Sequence, residues 1–163
     1  MVHCLLVCLV CNNNKRGIAM DIPSILGPAA VLVLWSLVVL MWVVATRFPA
    51  FAGSGVSVGA SPRGGRYVDV EKNMPAKVNW VSHNYTHLME QPTIFYAVVA
   101  ILAIAGDSSA INLMAAWSYV GLRIVHSLWQ GLVNIVKIRI IIFTLGTISL
   151  WVLAFNAVRI TLF

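Results

Sequence analysis

Residues 22–45 form an apolar run without a single charged side chain, and Arg47 closes it. About 20 apolar residues in a helix cross the roughly 30 Å hydrocarbon core of a bilayer. The rest of the chain agrees. Of its 163 residues, 60% are hydrophobic and 10% charged, where a soluble domain carries roughly 25% charged residues. No soluble fold hides that much apolar surface, so lipid is the solvent and the chain is an integral membrane protein. Its net charge of +6 would suit nucleic acid, but the basic residues form no stripe and the aromatics sit inside apolar runs. Charges flanking membrane spans explain them, with no nucleic-acid partner.

Three further runs follow. A second helix is expected over residues 75–105, opening at Pro75 and bent at Pro92, which removes one backbone hydrogen bond. A third covers 111–136 and a fourth 139–159, joined so tightly that Asn134 and Arg139 must lie at the same membrane face. Residues 48–74, rich in Gly and Ser, read as a surface loop. The expected fold is an all-α membrane protein, a four-transmembrane-helix bundle spanning residues 20–163 as one domain. Arg47, Arg63, Arg66, Lys72 and Lys77 cluster between the first two spans, and Lys137 and Arg139 between the last two. The turn after the second span has no Lys or Arg, so both basic connections are expected in the cytoplasm and both termini outside. No internal repeat points to an inverted-repeat transporter.

Residues 1–19 stand apart. Their apolar run, residues 4–11, is too short to span, and Lys15 and Arg16 follow it instead of preceding it, the reverse of a secretory signal. Met20 opens directly onto the first span, which points to Met20 as the natural start and residues 1–19 as an extension. All three cysteines, Cys4, Cys8 and Cys11, lie there. Their Cys-x3-Cys-x2-Cys spacing matches an iron–sulfur motif of radical enzymes, but those enzymes need a large soluble barrel that this chain cannot build.

Ionisable residues inside a span cost about 2.5–3.5 kcal/mol each on insertion scales, so each one asks for a reason. The second helix carries His83, His87 and Glu90 at i, i+4 and i+7; the third carries Arg123, His126, Gln130 and Asn134 at steps of three, four and four. Each set shares one helical face. Glu90 and Arg123 both fall near mid-membrane, and a buried ion pair between them is expected. His87, His126, Gln130, Asn134 and Arg139 lie closer to the cytoplasmic side, where they can line a polar cavity. Arg139, expected at the head of the fourth helix, gains from the peptide dipoles and suits an anion. His83, His87, Glu90 and His126 could alternatively gather a metal, although Glu90 already has a partner in Arg123 and no thiolate is present to tighten such a site. The six tryptophans read as interfacial or lipid-facing anchors.

The stretch Asn84-Tyr85-Thr86-His87-Leu88-Met89-Glu90-Gln91-Pro92-Thr93-Ile94-Phe95-Tyr96 resembles the second-helix signature of the MAPEG family, the membrane-associated proteins in eicosanoid and glutathione metabolism. Arg123-Ile124-Val125-His126-Ser127 resembles the family's third-helix motif, and Arg139 its basic residue on the fourth helix. The match covers about residues 22–160 and looks most like the bacterial branch. The resemblance implies a homotrimer in the bacterial inner membrane, with glutathione bound in clefts between subunits on the cytoplasmic side. It implies a glutathione-dependent transferase or peroxidase acting on lipophilic small molecules. Arg139 would stabilise the thiolate, and His87, Glu90, Arg123 and His126 would take the places of binding residues. Where the mammalian enzymes have arginines this chain has His83 and Thr86, and where they have tyrosines it has Gln130 and Phe143. The family also contains a non-catalytic lipid-binding member, so a binding module stays open beside the enzyme.

Overall fold

A computed structural model of the protein describes residues 23–53 and 63–163. The three cysteines and the expected start at Met20 lie outside the described residues. Every regular element among the described residues is helical: α1 (Leu26–Gly53), a short α2 (Tyr67–Val70) running into a 3-10 turn (Glu71–Asn73), α3 (Ala76–Ile104), α4 (Ala110–Leu132) and α5 (Val136–Leu162). Among them, α1, α3 and α5 are long and apolar enough to cross a membrane. Helix α4 is long enough at about 1.5 Å per residue. Its hydropathy is diluted by a buried face of Asn112, Arg123, His126, Ser127 and Gln130.

Helix α1 lies mainly along α3, and α5 mainly along α4, with α3 and α4 joining the two pairs. The core they share holds Leu32 and Val39 from α1, Leu88, Phe95 and Leu102 from α3, Tyr119 and Val120 from α4, and Leu153 from α5. Phe95 and Tyr119 stack at 4.5 Å at its centre. Interhelical hydrogen bonds add register where apolar packing alone has none. Asn84 Nδ2 donates to Ser127 Oγ (2.8 Å), tying α3 to α4. Asn156 Nδ2 donates to Asn112 Oδ1 (2.6 Å), and Asn112 Nδ2 to Asp107 (3.0 Å), tying α5 to the α3–α4 turn.

Two turns close the hairpins. The α3–α4 turn reverses on Gly106 at φ 73°. Asp107 N–H reaches back to the Leu102 carbonyl (2.9 Å) and Gly106 N–H to Ala103 (3.1 Å), so the last carbonyls of α3 are satisfied. The α4–α5 turn reverses on Asn134 at φ 55°. Its N–H donates to the Trp129 carbonyl (2.7 Å), and Trp129 Nε1 donates to the Ile135 carbonyl (3.3 Å).

The structure corrects four boundaries. Helix α4, expected to reach residue 136, ends at Leu132, where the chain reverses through Asn134. Helix α1 continues through Arg47 and Pro49 to Gly53, because Pro costs a helix one hydrogen bond and Arg47 is held by protein: its Nη2 donates to Ser82 Oγ (2.7 Å), and its guanidinium lies 3.7 Å from the Tyr67 ring centroid. The loop expected over residues 48–74 is helical at residues 67–73, pinned by Tyr67 OH to Asn79 Oδ1 (2.5 Å) and Asn79 Nδ2 to the Glu71 carbonyl (3.0 Å). Helix α5 starts at Val136, so Arg139 sits one turn inside it instead of heading it.

Candidate functional site

The polar residues read from the sequence fall into two groups, stacked along the same seam between α3, α4 and α5. The lower group surrounds Phe143. The His87 ring stacks on Phe143 at 5.4 Å with the planes 6° apart, and His126 lies 5.6 Å from His87 and 6.0 Å from Phe143. Three helices therefore place three rings together. His126 and Gln130, each 3% exposed, are one helical turn apart on α4. Both His126 Nε2 and Gln130 Oε1 are buried with no hydrogen-bond partner among the described residues. Buried polar atoms are nearly always paired; Trp35 Nε1 and Arg47 Nε are likewise without a partner among the described residues, but only His126 and Gln130 lie on the seam, one turn apart on the same face of α4. Arg139 is four residues before Phe143 and so shares its helical face, within electrostatic range of His126. Its Nη1 donates to Asn134 Oδ1 (2.9 Å), which brings together the two residues expected at one membrane face.

The upper group surrounds Arg123, which is 3% exposed. Here the expected ion pair with Glu90 does not form. Arg123 Nη2 donates to Gln91 Oε1, and its Nε to Tyr119 OH (3.1 Å). Its guanidinium also lies 5.0 Å from the Phe143 ring centroid. Gln91 Nε2 donates onward to Thr147 Oγ1 (2.9 Å) on α5. The reason is rotational: on α3, Gln91 stands four residues after His87 and faces α4 with it, whereas Glu90 is turned about 100° away. The Glu90 side chain is 61% exposed and bonds His87 Nδ1 at 2.7 Å. His83 pairs with Glu71 at 2.5 Å, outside both groups. Among the described residues, no group of three or more His, Cys, Asp or Glu is placed to hold a metal ion.

Above Gln91 the seam opens outward. Gln91, Ile94, Thr147, Leu150, Trp151 and Ala154 line a cavity of about 300 Å3 between α3 and α5. The Gln91–Thr147 pair forms its polar floor, and the other four side chains are apolar. A molecule with one polar and one apolar part would meet each in turn, cations and imidazoles at one end and an apolar cleft at the other.

Gln91, Tyr119 and Thr147 were not singled out in the sequence. Gln91 follows His87, and Thr147 follows Phe143, by four residues each. Gln91 also lies within the second-helix signature, but as uncharged residues all three give no insertion penalty to draw attention.

The sequence profile described as the MAPEG family matches residues 25–159. No curated protein and no solved structure gives a significant match to the chain.

Proposed function

The chain belongs to the MAPEG family, and on that premise we propose that it is a membrane-bound, glutathione-dependent transferase or peroxidase of bacterial type. Membership points to glutathione-linked or lipid-linked chemistry. The finer reading rests on the junction just described, where a buried, cation-bearing polar cluster with two unpaired polar atoms adjoins, through Gln91, an apolar cleft.

The division of labour follows from the residues. A thiol attacks poorly and its thiolate attacks well. Arg139 supplies a fixed positive charge that favours the anion, and each unit of thiol pKa it removes corresponds to about 1.36 kcal/mol. His87, His126 and Gln130 offer hydrogen-bonding atoms to the peptide part of glutathione, with Arg123 behind them as a second cation and Phe143 as the apolar wall. The cleft above Gln91 takes the lipophilic electrophile or peroxide from the bilayer. Asn134 and Glu90 complete the set expected at the site.

The same reading makes the protein a homotrimer with four spans, α4 being the most protein-enclosed. Glu90 supports it: a carboxylate 61% exposed in the middle of α3 faces hydrocarbon unless a neighbouring subunit covers it, and charges facing lipid are expensive. The basic connections place the site toward the cytoplasm of a bacterial inner membrane.

The test is conjugation of glutathione to an apolar aryl halide in detergent micelles. Arg139→Ala is expected to lose turnover by about 100-fold or more, the scale of losing a preorganised charge-stabilising group, while still sedimenting as a trimer. Wild-type protein that binds lipid but shows no turnover with aryl halides or hydroperoxides would favour the non-catalytic binding module instead.

A further inference from the structure

Two cations stand in the first turns of α5, Lys137 and Arg139, and the fold treats them differently. Lys137 is exposed and makes no hydrogen bond or ion pair among the described residues. Arg139 is half-buried and tethered through Nη1 to Asn134 Oδ1 at 2.9 Å. The tether comes from an unusual residue. Asn134 has φ 55° and is the one non-glycine residue with positive φ among those described. That conformation disfavours most side chains and is tolerated by Asn. Glycine would satisfy the turn with less strain, and glycine is the commoner choice at such a cap. The α3–α4 turn uses it, at Gly106. A side chain at position 134 therefore serves something beyond reversing the chain.

We propose that Asn134 is a positioning residue for Arg139: it caps α4 with its backbone and, with its carboxamide oxygen, holds the guanidinium at the Asn134 end of the α3–α4–α5 seam without cancelling its charge. This rests on the reading of Arg139 as the group that stabilises the thiolate. An arginine has a long stem that loses about 2 kcal/mol of rotamer freedom when it is fixed. A neutral acceptor takes one of its five N–H donors and leaves the charge and four donors for a ligand. A carboxylate at the same position would hold the guanidinium as firmly but neutralise it toward the thiol. The chain places an amide there, which is the choice that fixes the cation and keeps it a cation.

The experiment is a pH titration of thiolate absorbance in the ultraviolet, with glutathione bound to detergent-purified wild type, Asn134→Gly and Asn134→Asp. Glycine adopts the left-handed turn freely and removes only the tether, so Asn134→Gly is expected to assemble and unfold like wild type. Its thiolate midpoint is expected to rise by about one pH unit, a tenfold loss of thiolate below the midpoint. Asn134→Asp keeps the acceptor and is expected to raise the midpoint at least as far, by neutralising the guanidinium. It carries the test alone if the glycine variant fails to assemble. Unshifted midpoints in the assembled variants would overturn the clamp while leaving Arg139 its role. No thiolate in wild type would remove both.

Discussion

Arg123 is a cation inside the bundle that relies on neutral partners: the Gln91 carboxamide, the Tyr119 hydroxyl and the face of Phe143. Hydrogen bonds to a charged group contribute about 1.5–3 kcal/mol each. Gln91→Leu should therefore destabilise the protein by about that amount, read from unfolding in mixed micelles. Adding Arg123→Leu should recover part of the loss, because the buried charge goes with it. A Gln91→Leu protein as stable as wild type would contradict this. At this scale the sequence showed which residues were out of place in a membrane but not how they pair. Charge and helical spacing exposed His87, Arg123, His126 and Arg139. They also suggested Glu90 as the partner of Arg123, because two opposite charges at one depth are the simplest pair. The true partner stands one position further along, and a rotation of about 100° is invisible to depth counting.

Between elements, the contact most sensitive to a single atom is α1 against the end of α4. A Cβ added at Gly131 would stand 2.5 Å from Cη2 of Trp42, deep inside van der Waals contact. Trp42 is half-buried, with its indole packed against Gly131. Overpacking of this kind costs about 1–3 kcal/mol. Gly131→Ala should lower stability by that amount and loosen the α4 end that carries Gln130, with Trp42→Leu in the same chain relieving the clash. Equal thermal midpoints for Gly131→Ala and wild type would show that the indole moves aside freely. The helices themselves were legible from apolar run length: α3 begins and ends within about a residue of expectation. The end of α1 was not, because Arg47 and Pro49 look like terminators until Ser82 and Tyr67 are seen to hold the arginine; nor was the α4–α5 boundary, because the reversal falls on Asn134 and no Gly or Pro marks it.

At the scale of the whole molecule, the bundle keeps most of its polar side chains along one seam and leaves broad apolar faces on α1 and α5, with Val33, Leu34, Leu37, Ile148 and Phe155 among the exposed residues. Lipid and neighbouring subunits both suit such faces, and one sequence carries no mark dividing them. Family membership was legible because its motifs on α3 and α4 carry ionisable and amide side chains inside apolar spans, where such residues stand out. The seam orders the chemistry, with Asn134 and Arg139 at one end, the rings and unpaired atoms next, then Arg123 and Gln91, then the apolar cleft. The central claim is that this arrangement turns a bound thiol into a thiolate through Arg139. Ultraviolet difference absorbance of glutathione added to the detergent-purified protein tests it directly. The account predicts a saturable thiolate band in wild type that disappears in Arg139→Ala; folded wild-type protein that gives no band, or an Arg139→Ala protein that keeps it, would contradict the account.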